Sequence, residues 1–292
     1  MAVAERLDGE IVSADAFAVY RGLDIGTDKP SLEDRRRVRH HLIDVADPVD
    51  AFSAGAFSDA ARAAISEIKG RGKLPVVAGG THFWIRALVV GLFPAPPRDP
   101  VVGARLAAQW TDDPDSVVER LAEIDPDAAG RIGPRDRQRI LRALEVWELT
   151  GEPLTSHWRR QRTSARFDPL FVIPNLDRHE LYAKIDARAD HLFLSGLVKE
   201  VEQILASGVP HDAHALKAIG YREVVEMLRG RCDLATAVEN TKKASRNLAK
   251  RQLTWLRRLR EGTVHRVAPA GEGGTSAAIG LWAQHTKGRE DQ

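Results

Sequence analysis

Along the N-terminal part of the chain, short apolar runs take turns with longer helical stripes. Met1–Leu7 reads as the back half of a helix leading into Glu10-Ile11-Val12-Ser13, a buried strand that ends at Asp15. His40-His41-Leu42-Ile43-Asp44-Val45 reads as a strand end. Neighbouring strand residues point to opposite faces, so the two histidines do not make a metal site by themselves. From Ser53 to Lys69 the residues Phe57, Ala60, Ala61, Ala64, Ile65 and Ile68 recur at helical spacing, and Gly70 and Gly72 stop the helix. Leu74–Ala78 is a second buried strand, running into Gly79-Gly80-Thr81 and a helix from Phe83 to Val90. In an open α/β sheet, ligands bind at the carboxyl ends of such strands, where Asp15 and the glycine pair lie.

The pattern then changes. Pro94-Ala95-Pro96-Pro97-Arg98-Asp99-Pro100 holds four prolines in seven residues and reads as a linker. From Val101 to about Pro169 the pattern predicts helix throughout. One helix opens at Asp115 with Val117, Val118, Leu121 and Ile124 on one side, and another spans Arg135 to Leu149. These predict a helical insertion, 95–168, in an α/β core made of 1–94 and 169–268. Leu170–Pro174 is expected to return to the sheet, and Asp177 to cap a helical region reaching about Ser207. In Lys217-Ala218-Ile219-Gly220-Tyr221-Arg222-Glu223 the glycine is awkward inside a helix, costing roughly 1 kcal/mol against Ala. A helix break and a functional reason both remain open. Residues 241–260 carry eight Lys/Arg and no acid, with Leu248, Trp255 and Leu259 spaced to dock on the core. The Gly-, Ala- and Thr-rich tail, 269–292, is expected to be disordered.

Composition narrows the function classes. The chain has 292 residues, 43% hydrophobic and 29% charged, enough for one large or two modest globular domains. No apolar run approaches the roughly 18 residues that span a membrane, and the N-terminus lacks a hydrophobic signal region. Cys232 is the sole cysteine, which excludes an intrachain disulfide and a cysteine zinc site. A cytoplasmic protein with no membrane partner is expected. The net charge of +2 is too small to argue for nucleic acid, so distribution carries that argument. The cation row on 241–260 suits phosphate neutralisation. A basic amphipathic helix can also lie on a membrane or bind a partner protein, but an internal, partly docked helix favours nucleic acid. Asp15 has a plain reading as a turn or cap residue. Arg21 and Lys29 are cations near it in sequence, or solvated loop residues, and Arg35–Arg39 reads as a solvated face ahead of a contact to RNA backbone. The Gly79-Gly80 turn lets backbone amides approach an anion at a helix start.

Six blocks occur in one order over about residues 1 to 260: GEIVSADAFAVYRGLDIGTDKP, HHLIDVADP, VVAGGT, QRxxRALEV, AIGYRE and AKRQLTWLR. Together they resemble the tRNA dimethylallyltransferase (tRNA isopentenyltransferase) family. The resemblance implies a P-loop-NTPase-like parallel sheet core, an inserted all-helical tRNA-binding domain and a helical C-terminal region. In the family a strand and a GxxxxGK[ST] loop precede the first helix seen here. No such loop occurs in the 292 residues, so the expectation is a fold lacking that first strand and P-loop, through a late start codon or truncation.

The implied reaction moves a dimethylallyl group from dimethylallyl diphosphate to N6 of the adenosine 3′-adjacent to the anticodon, with Mg²⁺ carried on the diphosphate and its protein ligands unknown. By resemblance Asp15 is the general base and Thr81 a second catalytic residue. Gly79, Gly80, Thr81 and Arg222 hold the diphosphate. The tRNA falls to Asp15, Ala16, Phe17, Ala18, Gln138, Arg139, Ile140, Leu141, Arg142, Lys217, Gly220, Tyr221, Arg222, Arg246, Lys250, Arg251 and Gln252. The expected partners are the tRNA anticodon stem-loop and dimethylallyl diphosphate, bound by a monomer. The sequence departs from the family in three places. Asp15-Ala16-Phe17-Ala18 replaces a common Asp-Ser-Met-Gln, removing a side-chain amide. His82-Phe83-Trp84 replaces a small residue followed by Leu-Tyr, which implies a bulkier wall. Gly103 stands where Arg is usual, removing one contact. The alternatives are a catalytically impaired RNA-binding pseudoenzyme and a free-nucleotide enzyme of related architecture; the basic helix disfavours the latter.

Overall fold

The first helix, α1 (Ala2–Arg6), leads into β1 (Gly9–Ser13), which is buried along its whole length. The reason is its place: β1 is the middle strand of a three-stranded parallel sheet, flanked by β2 (His40–His41) and β3 (Leu74–Ala78). The computed structural model describes residues 1–93, 95–160, 167–259, 262–268 and 271–290. Between β1 and β2, α2 (Leu32–Arg37) starts with a reciprocal cap: Ser31 Oγ accepts from the Asp34 N–H, and the Asp34 carboxylate accepts from the Ser31 N–H. The stripe read from the sequence appears in α3 (Ala54–Gly70), which buries Phe57, Ala61, Ala64, Ile65 and Ile68. The last helix of this stretch, α4 (His82–Val89), buries Trp84, stacked on Phe57 at 4.6 Å between ring centres.

Residues Val90–Ser164 form a compact unit of their own. Its bounds fall ahead of the expected 95–168. Phe93 and Ala95 pack into its core, while Phe167 already packs into the α/β core. Three of its helices open on Asp-Pro: α5 (Pro100–Asp112), α6 (Pro114–Ile124) and α7 (Pro126–Arg131). In each, the Asp carboxylate accepts from first-turn amides and Pro sits where no amide is needed. Helix α6 therefore starts at Pro114, capped by Asp113, one residue ahead of the expected opening at Asp115. Helices α8 (Arg137–Thr150) and α9 (Leu154–Arg160) complete the unit. Leu106, Leu121, Ile140, Leu144 and Val146 form its core. The expected helix to Pro169 can be followed only to Arg160, since 161–166 lie outside the described residues, as does Pro94 of the linker.

The chain re-enters the first unit with β4 (Leu170–Pro174). The expectation that this strand rejoins the first sheet is corrected: β4 pairs, in parallel, with β5 (Thr263–Val267) in a separate two-stranded sheet. Between them lie α10 (Arg178–Leu194), capped by Asp177, then α11 (Leu197–Ala206), α12 (Tyr221–Leu228) and α13 (Leu234–Arg258). Leu197, Val201, Tyr221 and Val224 join Val12, Tyr20, Leu23, Phe57 and Ile68 in one core. Each such side chain contributes about 1.5–3 kcal/mol by leaving water. The tail expectation is also corrected. Residues Glu272–Glu290 form α14, with Ala278 buried and Arg6 donating to Ser276 Oγ. Alanine is the best helix former, and its small side chain allows close packing, so a composition that reads as loop folds here as helix. Among the described residues no helix is long and apolar enough to cross a membrane.

Candidate active site

At the carboxyl end of β1 the chain turns sharply. Asp15 Oδ1 accepts from the N–H groups of Phe17 (2.8 Å) and Ala18 (3.1 Å), a turn closed by its own side chain. The plain reading of Asp15 thus holds for one oxygen. Among the described residues its Oδ2 has no hydrogen-bond partner.

The Gly79–Thr81 turn at the end of β3 is bonded to this loop. Thr81 N–H donates to Ala14 O (3.2 Å), and Thr81 Oγ1 accepts from Ala16 N–H (3.0 Å). Gly79 has to be glycine because a Cβ there would lie 2.4 Å from Ala14 O. Asp15 and Thr81 are thereby held together, with exposed Gly79 and half-buried Gly80 beside them.

Helix α13 reaches the same turn. Gln252 Nε2 donates to Gly80 O (2.9 Å). One turn further on, the Trp255 indole stacks on the His82 imidazole, 4.1 Å between centres and 10° from parallel. Burial holds the His82 imidazolium below its ordinary pKa, which keeps the ring neutral against the indole. Asn247, Lys250, Arg251, Thr254, Trp255 and Arg258 line a groove along this helix. Lys250, Arg251 and Arg258 are exposed, as a cation row on the outer face requires.

The inward side of α13 differs from the expectation. Trp255 is half-buried and Leu259, just past the helix, is buried as expected, but Leu248 is exposed, and the buried residues within the helix are Ala237, Thr241 and Ala249. Small side chains let the helix lie close, and Leu248 falls outside that stripe. Arg246 is paired with Asp186, and Lys242 with Asp190 and Glu239, so these cations are already partly neutralised.

The other expected site residues scatter. Ala18 is buried, and Phe17 stacks on His214 at 6.0 Å. Tyr221 is fully buried; its hydroxyl donates to Glu200 and accepts from Gly26 N–H (3.1 Å). Burial and the Glu200 carboxylate push its pKa far up. Gly220 is not inside a helix but caps α12 at φ 93°, a left-handed conformation that favours glycine, and its N–H donates to Glu223 (2.8 Å). Arg222 pairs with Glu223 and lines a cleft with Glu226, Cys232, Asn240 and Lys243. Gly79, Gly80 and Thr81 do not line that cleft. Lys217 is exposed at the end of a short 3-10 turn.

In the helical unit, Ile140 is buried and Leu141 packs against the same core. Arg142 donates to Glu145 and to Pro96 O, while Gln138 and Arg139 are exposed at the start of α8. Gly103 is half-buried in α5.

The two cations near Asp15 in sequence are engaged elsewhere. Lys29, its side chain 2% exposed, donates to Tyr20 O, Asp24 and Asp44. Arg21 bonds Asp47 and Asp44 O. The Asp44 carboxyl is pushed up by burial but ends below its ordinary range because Lys29 and Arg35 donate to it. Glu200 was missed by sequence reasoning. Its carboxylate gathers the N–H groups of Asp24 and Ile25 with the Tyr221 hydroxyl. No local motif marks it, since its partners lie far away in sequence.

Among the described residues no group of three His, Cys, Asp or Glu side chains stands close enough to cage a metal. The Thr81 hydroxyl offers a hard oxygen donor, which fits a Mg²⁺ ion bound mainly through substrate oxygens.

Residues 18–259 match the family described as IPP transferase. The chain is 45% identical over 257 residues to tRNA dimethylallyltransferase 1 of Trichlorobacter lovleyi, covering 87% of this chain and 84% of that one. It is 44% identical to the tRNA dimethylallyltransferase of Thermomicrobium roseum, covering 87% and 77%. The crystal structure of the full-length tRNA isopentenylpyrophosphate transferase from Bacillus halodurans superposes with a TM-score of 0.72 at 32% identity, covering 99% of this chain and 92% of that one. A eukaryotic dimethylallyltransferase captured acting on tRNA shares the fold, with a TM-score of 0.83 at 24% identity, covering 98% and 75%. By sequence and by fold, the chain belongs to the IPP transferase family.

Proposed function

We propose that this chain transfers the dimethylallyl group of dimethylallyl diphosphate to N6 of the adenosine 3′-adjacent to the anticodon of tRNA. The observation that carries the reading is the pair of Thr81 hydrogen bonds to Ala14 and Ala16, which fastens the Asp15 loop to the glycine turn. The N6 lone pair forms a bond to the allylic carbon, and the carbon–oxygen bond to the diphosphate breaks, its electrons leaving with the diphosphate. The N6 proton passes to Asp15 Oδ2, the oxygen not used by the turn. The Gly79 and Gly80 N–H groups and the Thr81 hydroxyl are the donors offered to the departing charge. When bound on the diphosphate, Mg²⁺ would offset that charge, and Thr81 is the hydroxyl that would help hold it. A loop adenine can be splayed out at modest cost and presented to such a site. The exposed Lys250, Arg251 and Arg258 meet the RNA backbone, as do Gln138 and Arg139 at the start of α8. In this reading the chain acts as a monomer on tRNA in the cytoplasm.

The test is transfer to an anticodon stem-loop in the presence of dimethylallyl diphosphate and Mg²⁺, read by RNA mass. A gain of one dimethylallyl group on the expected adenosine is the predicted result. RNA binding with no mass gain overturns the transferase reading and leaves an RNA-binding protein. Asp15→Asn keeps an oxygen for the Phe17 and Ala18 amides but cannot take the proton. It is expected to lower kcat by about 10²–10⁴-fold with the melting temperature unchanged.

A further inference from the structure

We propose that Gln252 is a positioning residue that clamps the Gly79–Thr81 turn from α13, and that its side chain does not contact RNA. The proposal rests on the prenyl-transfer reading above and deepens it. The resemblance implies that Gln252 joins Lys250 and Arg251 on the RNA, but helical spacing separates them. Ala249, Gln252, Leu253 and Leu256 follow one another at helical intervals, buried or half-buried, while Lys250, Arg251, Thr254 and Arg258 are exposed. The Gln252 amide, half-buried on that inward row, gives an N–H to Gly80 O at 2.9 Å.

The fit on the turn is close. A Cβ on Gly80 would lie 2.4 Å from Gln252 Nε2, so glycine at 80 makes room for the amide. Gly80 directly precedes Thr81, whose N–H and hydroxyl hold Ala14 and Ala16 on either side of Asp15. The next residue, His82, is stacked under Trp255 of the same helix. Helix α13 thus grips the turn at two points, Gly80 and His82, on either side of Thr81. The cations that face solvent and the amide that fixes the turn belong to one rigid element. Helix position and turn geometry are coupled through Gln252.

The test is Gln252→Glu, which is isosteric but has no N–H to donate, with Gln252→Met as an apolar control of similar length. Anticodon stem-loop affinity and kcat at saturating RNA are measured for both against wild type. The expected result is a fall in kcat of about tenfold to a hundredfold, as for a small misplacement of reacting groups, with RNA affinity within threefold of wild type. A kcat within twofold of wild type, or an affinity loss beyond threefold, overturns the clamp. If the wild type itself transfers nothing, the prenyl-transfer reading fails. Amide NMR then decides the clamp separately. Gly80, Thr81 and His82 signals that move in Gln252→Glu sustain it, and signals that stay in place overturn it.

Discussion

At Tyr221 the hydroxyl has two partners in a dry setting, donating to Glu200 and accepting from Gly26 N–H. Removing that hydroxyl leaves a buried carboxylate short of a donor. Tyr221→Phe is expected to cost about 1–3 kcal/mol of stability, measured by urea unfolding, with stem-loop affinity unchanged at a temperature where the variant is folded. A large affinity loss with unchanged stability would instead place Tyr221 on the RNA. This residue also shows the reach of sequence reading at its finest scale. The flanking Gly220 and Arg222 made the segment look functional, and nothing local reveals that Glu200 is waiting for the hydroxyl. Asp15 and Thr81 were legible for the opposite reason. Each lies within a few residues of a strand end, so a short-range pattern fixes its place.

Two elements carry their own predictions. In β1, Glu10 is 4% exposed, and Arg71 and His41 donate to it at 2.7 Å. The Arg71 guanidinium holds the carboxyl down to about 2 from its ordinary 4.5, against the opposing effect of burial. Between those values the unfolded chain binds the proton and the folded chain does not, so stability from this group rises with pH there. It is complete above 4.5 and is lost on acidification toward 2. The difference in urea midpoint between wild type and Glu10→Gln should therefore shrink as pH falls through that window. A constant difference would show that Glu10 matters for packing rather than for charge. On α13 the prediction is a salt slope. Replacing Lys250, Arg251 and Arg258 by Gln should reduce the slope of log affinity against log salt by about 2 to 3. Replacing Lys242 and Arg246, already paired with α10 carboxylates, should change it far less. Equal effects would mean that the ion pairs open on binding. The helix itself was visible as a basic run with no acid, but its inward side was not. Large apolar residues mark Trp255 and Leu259 correctly but also draw the eye to exposed Leu248, whereas the buried positions within the helix are Ala237, Thr241 and Ala249, which a periodicity of hydrophobic bulk does not register.

For the whole molecule, local pattern located β1 to β4 but neither β5 nor the pairing of β4. β4 was read as a strand, yet its mate β5 lies beyond α13 and carries His265 and Arg266 among its valines, so neither its strand character nor its pairing stood out. The helical unit was legible because its proline run and helical apolar stripes act over a few residues, although its capping aspartates went unread. That difference bears on autonomy. Val90–Ser164 holds a core of Leu106, Leu121, Ile140, Leu144 and Val146. Buried Glu145 is satisfied from within by Asp99 N–H and Arg142. Three Asp caps satisfy first-turn amides without outside help. The core, these caps and the partners of Glu145 thus lie inside the segment, although a chain this short buries only about 60% of its unfolded surface. Residues 90–164 expressed alone should show a helical far-UV circular dichroism spectrum and a single cooperative melt, below that of the full chain. A coil spectrum at low temperature would mean that the core of this unit is not sufficient. Leu144→Ala in the same segment should then separate packing from propensity. A true core loses about 2–5 kcal/mol and unfolds, whereas helices held by local propensity alone keep their spectrum.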